Sequence, residues 1–466
     1  MLKICEAVRE AGGRAVLVGG WVRDRLRGFE SKDFDIEVYG LDAARLRSVL
    51  ETIARVNTVG EHFAVYKLSF REKAEGTAPD SAHVDRNDAR IEIDVSIPRR
   101  ESKSGRGHRA FVIEGDPSMT PEEAARRRDF TINAVMYDPL SDETIDPYGG
   151  VQDLKRRVLR AVAADTFVED SLRVLRTVQL AARFEMTVEP GTAELCRNVD
   201  LSDLPAERIW GEVEKLLLLA ERPSIGLRTS LELGALDKLF PELGALAGVE
   251  TDRRAQSDRD AFTHTALSLD KAVVLARNLS KPERITVMLA TLCHDLEKPV
   301  GAKPGGASEG LEQVSAEQAR AVLKTLGVHT IAGYDVRSQV LAIVREQRKP
   351  TQFYESRDNV YDGDFRRLAQ RVDIDLLYRV AKACALARGG ESPIAEDWFI
   401  ERARRLGVQH GPPEPVLLGR HLLEAGYEPG PQMGRRLREV YELQLDGKVT
   451  TLDEALACAR DLAGGS

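Results

Sequence analysis

Cysteine is scarce and scattered. The five in this chain of 466 residues, Cys5, Cys196, Cys293, Cys384 and Cys458, are odd in number, far apart and without a Cys-x-x-Cys pair. That pattern excludes a disulfide framework, speaks against structural zinc and fits a reducing cytosol. Long apolar runs are missing too. None approaches the ~18 residues of a membrane helix, and the opening stretch Met1–Glu10 is amphipathic and too charged for a signal peptide. An excess of positive charge is also lacking, since the formal net charge is −8. Nucleic acid cannot then be held by the overall field, and any RNA contact needs a local basic surface. There are no internal repeats and no low-complexity tail. What remains is 42% hydrophobic and 30% charged, a soluble globular composition long enough for about three or four domains.

The most informative stretch runs from Val16 to Tyr39. An apolar run, Ala15–Val18, enters the turn Gly19-Gly20. A helix carrying Val22, Leu26, Arg23 and Arg27 comes next and ends at Gly28. A second strand then carries Asp33 and Asp35, whose side chains share one face because strand side chains alternate. Two parallel carboxylates repel unless a cation lies between them, and hard oxygen donors suit Mg²⁺. Gly19 and Gly20 leave backbone N–H groups uncovered where a phosphate can approach. Acids beside a phosphate site point to nucleotidyl transfer. Taken alone, the acid pair also suits a solvated strand face.

Further along, residues 43–55 read as a helix, and Val56–Phe70 as two strands about Gly60–Phe63. Residues 73–90 read as a polar loop. Ile91–Ile97 alternates with period two, placing Glu92 and Asp94 on one face. Asp94 is either a third site acid or part of an exposed edge strand. Arg99–Arg109 has five basic side chains and two glycines, and reads as a mobile loop suited to phosphate or as ordinary surface. Arg126-Arg127-Arg128 turns abruptly into an apolar element bearing Asn133, an amide that needs partners if buried. Pro147 and Gly149-Gly150 form a tight turn, with Asp153 able to cap the next turn of chain. Glu169–Arg183 reads as a helix on which Asp170, Arg173 and Arg176 stand side by side. They form an intrahelical salt-bridge ladder or a set of donors and acceptors able to read a base edge. Leu204–Leu217 reads as a helix with Pro205 in its first turn.

These motifs, in this order, resemble the DNA polymerase β-like nucleotidyltransferases. More closely they resemble the bacterial tRNA nucleotidyltransferase/poly(A) polymerase family of class II. The resemblance rests on Gly19-Gly20-x-Val22-Arg23-Asp24 with Asp33-x-Asp35, on Arg127-Arg128-Asp129-x-Thr131-Ile132-Asn133-Ala134, on Asp146-Pro147 through Asp153-Leu154, and on Glu169-Asp170-x-x-Arg173. It implies an α+β fold: a mixed-sheet head followed by all-α neck, body and tail. It further implies Mg²⁺ on Asp33 and Asp35, with Asp94 as a third catalytic acid. Gly19, Gly20, Arg23, Arg128 and Arg176 would contact the nucleotide, and Asp170 with Arg173 would select CTP and ATP. The implied activity is transfer of CMP and AMP to the tRNA 3′ end with release of pyrophosphate, as full CCA addition or part of it, in the cytoplasm. Poly(A) polymerase activity and a non-catalytic RNA-binding relative are the alternatives. The family often has an arginine three residues beyond Arg176, where this chain has Gln179.

Residues 222–400 show only helical periods. Within them His264-Thr265 and His294-Asp295 resemble the HD phosphohydrolase pattern, but no histidine falls between His294 and His329, and Glu297 stands where that pattern has glycine. These residues read as a packing relic rather than a working metal site. His410–Pro415 reads as a linker. Beyond it Arg435, Arg436 and Arg438 offer a place for RNA backbone or form a solvated helix face. The expected division is a head over 1–157, a neck carrying the base-reading helix over 158–240, a degenerate HD-like body over 241–409 and a tail over 410–466.

Overall fold

The computed structural model describes residues 1–31, 33–59, 65–71, 90–103, 111–250, 260–301, 311–389 and 392–461. These fall into two units. The first comprises Met1–Pro205 with Glu232–Ala235, the second Ala206–Leu231 with Leu236–Ser466.

The first unit is built on a seven-stranded mixed sheet. Its strands are β1 (Arg14–Val18), β2 (Phe34–Tyr39), β3 (Val56–Val59), β4 (Val65–Arg71) and β5 (Arg90–Ser96), followed after a separate ribbon by β8 (Met136–Asp138) and β9 (Glu143–Ile145). The ribbon is β6 (Arg99–Lys103) against β7 (Phe111–Gly115). Strand order is β3-β4-β5-β2-β1-β8-β9, and within this sheet β2–β5 is the parallel pair. Alternation along β2 explains the sheet's two faces. Ile36 and Val38 join Leu17, Leu68, Ile93 and Val95 in a core closed by helices α1 (Leu2–Glu10) and α3 (Ala43–Glu51), through Ile4, Val8, Leu46 and Leu50. The opposite face carries Val16, Val18 and Tyr39 against Ala124 and Ala125 of α4 (Pro121–Arg126) and against Met136.

Helix α2 (Gly20–Leu26) leaves β1 through Gly19, whose φ of 72° suits glycine. Helix α5 (Gly150–Arg156) starts at a second glycine turn. A Cβ at Gly150 would lie 2.0 Å from the Thr131 carbonyl oxygen, so only glycine fits. This turn is capped by Asp146, which accepts from the Gly150 and Val151 amides at 2.7 and 2.9 Å. Asp153, expected as a cap, instead sits inside α5, buried, and accepts from Thr131 Oγ1 at 2.8 Å. The short α6 (Ala164–Phe167) then leads to α7 (Leu172–Phe184). The helix expected from Glu169 thus begins three residues later than expected. Asp170 precedes it and accepts from the Leu172 amide at 3.1 Å, the pre-helical role a short carboxylate favours.

Two other expectations change. The basic loop over 99–109 is in part the strand Arg99–Lys103, paired with a partner that lacks a clear sequence signal; residues 104–110 lie outside those described. The strands Val56–Val59 and Val65–Arg71 agree with the reading, while the turn at Gly60–Phe63 and most of the loop over 73–90 also lie outside.

The second unit is helical, with one small hairpin, Thr330–Ile331 against Tyr334–Asp335, that the helical periods did not announce. Among its helices are Ala206–Leu219, Ala261–Leu275, Lys281–Cys293, Leu311–Thr325, Val336–Glu346 and Ile374–Arg388. Residues 410–415 are non-helical, as expected of a linker. The C-terminal helices Gly419–Glu424, Pro431–Leu445 and Leu452–Asp461 share a small core around Leu422, Val440 and Ala455. Among the described residues no helix is long and apolar enough to cross a membrane.

Candidate active site in the head

Pairing of β2 with β5 puts Asp35 directly beside Asp94. On the other side of β5, Lys67 of β4 is the register partner of Asp94 and its ammonium donates to Asp94 Oδ2 at 3.0 Å. Asp94 Oδ1 is buried and accepts no hydrogen bond. Asp35 is held above the usual carboxylate range, first by partial loss of solvent and then by the like charges of Asp94 and Asp33, against the opposing pull of Arg128. An orphaned carboxylate oxygen beside a carboxylate that resists ionisation makes a donor set suited to a cation. Asp33, exposed at the entrance to β2, adds a third acid. These oxygen donors fit a divalent metal.

The glycine turn closes on the same place. A Cβ at Gly19 would lie 3.5 Å from both Arg128 Nη1 and Asp35 Oδ2. The turn backbone, a guanidinium and a carboxylate therefore converge. What holds Arg128 there is Glu37, two residues beyond Asp35 on the same strand face. Glu37 is fully buried. It accepts from Arg127 Nη2 at 2.7 Å and from the Tyr39 hydroxyl at 2.9 Å, and lies 3.9 Å from Arg128 Nη2. Burial pushes its carboxyl up, but Arg128, Arg127 and the Tyr39 hydroxyl more than offset this and keep it below the usual range. Sequence reasoning passed over Glu37, although the alternation Asp33, Asp35, Glu37 was its signal.

Arg23, expected to touch the nucleotide, is 7% exposed. Its guanidinium bonds Asp24 and donates from Nη1 to Asn133 Oδ1 at 3.0 Å, with its Cζ 4.4 Å from the centre of the Phe184 ring. Asn133 in turn donates to Asp129 Oδ1 at 3.0 Å, and Asp129 Oδ2 accepts from Arg176 at 2.6–2.7 Å. The chain Arg23–Asn133–Asp129–Arg176 ties α2 to α7 through the segment after the arginine run. Arg173 donates to the Thr166 and Arg127 carbonyl oxygens at 2.7 and 2.5 Å. Arg173 and Arg176 of α7 are thus anchored on the segment that carries Arg128. In the second unit, His264, His294 and Asp295 are buried among helices, and Arg435 and Arg438 are exposed while Arg436 stacks 4.9 Å over Tyr427.

A family model described as the poly A polymerase head domain matches residues 15–160, and one described as a probable RNA and SrmB-binding site of polymerase A matches residues 185–246. The multifunctional CCA protein of Haemophilus influenzae (strain PittGG) is 37% identical over 322 residues, 67% of this chain and 70% of the relative. That of Xanthomonas campestris pv. campestris (strain B100) is 39% identical over 289 residues, 60% of this chain and 63% of the relative. The chain thus spans 63% of the length of relatives of the latter kind. Among solved structures, a CCA-adding enzyme with CTP superposes with a TM-score of 0.64 at 18% identity, covering 99% of this chain and 94% of the other. The Thermotoga maritima CCA-adding enzyme complexed with tRNA gives 0.61 at 18% identity, with the same coverage. At such identity these two likenesses speak for the fold alone.

Proposed function

We propose an activity for a chain that belongs to the family of the multifunctional CCA proteins: template-independent transfer of CMP and AMP from CTP and ATP to the 3′ end of tRNA, with release of pyrophosphate. The observation that carries it is the register of Asp35 against Asp94 under the Gly19 turn and Arg128. Asp33, Asp35 and Asp94 would hold the divalent cation, which we take to be Mg²⁺. Bound there, it would supply Lewis-acid activation of the attacking hydroxyl and charge neutralisation at the triphosphate. The backbone of Gly19 and Gly20 and the guanidinium of Arg128 bind and orient the phosphates, so that the RNA 3′-hydroxyl approaches the α-phosphate in line. Glu37 positions Arg128. In this reading Arg23 braces the site through Asn133 rather than touching nucleotide.

Asp170 and Arg173 read the base edge, an acceptor and a fork of donors matched to cytosine and adenine. Arg176, fixed by Asp129, stands on the same helix as a nucleotide contact. The division into head, neck, body and tail at 157, 240 and 409, the basic tail as a seat for RNA backbone, and a cytoplasmic location belong to the same proposal. A poly(A) polymerase is the second reading, favoured by the description of the matched head model.

The test is single-nucleotide extension of tRNA transcripts ending before CCA, after C and after CC, with each NTP and Mg²⁺, beside Asp35→Ala. Addition of C, C and A followed by a stop supports the full activity. C alone, or A alone onto CC, restricts it to part of the sequence. Long A tails on unrelated RNA select the second reading. No incorporation on any acceptor by a folded wild type overturns both.

A further inference from the structure

Three charged side chains stand in one row across the sheet of the head. Asp35 of β2 is the register partner of Asp94 of β5, and Asp94 is the register partner of Lys67 of β4. Register partners share a face of the sheet, so strand pairing itself sets the lysine beside the acids. The ammonium donates to Asp94 Oδ2 at 3.0 Å. Glu92 and Asp35 also attract it, more weakly. The side chains of Lys67 and Asp94 are 40% and 34% exposed, and a pair so open to solvent contributes little to stability. What the pair does fix is which oxygen of Asp94 remains available. Oδ2 is taken by the ammonium, while Oδ1 is buried and accepts nothing.

We propose that Lys67 determines which divalent cation the head accepts, by restricting Asp94 to coordination through a single oxygen. This rests on the reading of Asp33, Asp35 and Asp94 as the cation's ligands. Mg²⁺ demands a near-ideal octahedron of oxygens at about 2.0–2.1 Å. Neighbouring corners of that octahedron are about 2.9 Å apart, whereas the two oxygens of one carboxylate are only about 2.2 Å apart, so Mg²⁺ takes one oxygen from each carboxylate. Ca²⁺ binds about six to eight oxygens at about 2.3–2.6 Å in a flexible shell, and readily takes both oxygens of a carboxylate. An ammonium on Oδ2 therefore removes a ligand from Ca²⁺ and none from Mg²⁺. The positive charge of Lys67 opposes both ions alike, because both carry two charges. Coordination alone separates them. Lys67 is thus a positioning residue that acts through Asp94, and it touches neither nucleotide nor cation.

The experiment follows Mn²⁺ bound to the full chain by electron paramagnetic resonance, without nucleotide, and displaces it with Mg²⁺ or with Ca²⁺. Mn²⁺ that stays bound in Asp35→Ala lies elsewhere and is subtracted. Lys67→Met removes the donor at similar length. It should tighten Ca²⁺ relative to Mg²⁺ by at least about fivefold, and Ca²⁺ should inhibit its Mg²⁺-dependent nucleotide incorporation more strongly than that of wild type. Lys67→Arg keeps a donor for Oδ2 and should keep the wild-type ratio. In an Asp94→Asn background only one side-chain oxygen exists whatever stands at position 67, so adding Lys67→Met should leave the ratio unchanged. Equal tightening of both ions in Lys67→Met overturns the proposal, since charge alone then accounts for the change. An unaltered ratio, or a shift that persists beside Asp94→Asn, overturns it as well. A folded wild type with no Asp35-dependent Mn²⁺ overturns the reading of the three acids as metal ligands, and the role of Lys67 with it.

Discussion

Glu37 Oε1 accepts from Arg127 Nη2 at 2.7 Å in the interior of the head, with the guanidinium of Arg128 on the same carboxylate's other side. Replacing Glu37 with alanine removes the buried anion that faces two partly buried guanidiniums. The expected loss is about 3–5 kcal/mol, the range for breaking a buried pair from one side, read by urea denaturation. Glu37→Gln keeps the volume and tests linkage. The folded carboxyl titrates lower than the unfolded one, so its contribution is present above the unfolded pKa and fades as pH falls through the folded pKa. Wild-type stability should therefore drop on acidification more steeply than that of Glu37→Gln. Equal slopes would mean that Glu37 does not carry its charge in the folded state.

Asp35 has the opposite sign. Its folded carboxyl titrates higher than the unfolded one, so ionisation at neutral pH opposes folding, and this penalty disappears as the group is protonated. Asp35→Asn should abolish nucleotide incorporation, a fall of more than about a thousandfold, while its Tm at pH 7 without metal equals or exceeds that of wild type. A lower Tm with unchanged circular dichroism would contradict the like-charge account.

Asp129 and Arg176 form a single energetic unit. Asp129→Ala and Arg176→Ala are each expected to destabilise, by about 3 kcal/mol or more for the first and less for the more exposed arginine. The double variant should fall short of the sum by at least about 1 kcal/mol. Additivity within error would show that their contact at 2.6 Å contributes nothing.

Gly150→Ala places a methyl where the Thr131 carbonyl oxygen already is. Overpacking of this kind costs about 1–3 kcal/mol. The shift should appear as a lower denaturation midpoint with an unchanged slope. An unaffected midpoint would mean that the turn relaxes freely.

Much of the head was legible because its chemistry follows short periods. Asp33 and Asp35 stand two apart on a strand, Asp94 lies in an alternating run, and the turn at Gly19-Gly20 comes after an apolar strand. What could not be read was which strands pair. Nothing in the 58 residues between Asp35 and Asp94 announces that β2 and β5 are neighbours. The strand Arg99–Lys103 was hidden because it has no apolar alternation, and strand propensity there yields to pairing with Phe111–Gly115. Asp146 took the capping role expected of Asp153 because a cap and a buried acceptor use the same side chain, and only the fold decides which amides lie within reach.

The parallel pairing of β2 and β5 separates chemistry from chain length. In a hairpin, one added residue in a strand slides every later side chain to the opposite face. Here the two carboxylates are joined by a long excursion through α3, β3 and β4, and their alignment is set by the packing of Ile36, Ile93 and Val95. Residues can be added to or removed from the connections of that excursion without moving Asp94 past Asp35. The head can therefore vary in size between its two acids, or accept a transplanted loop there, while the place of reaction stays fixed.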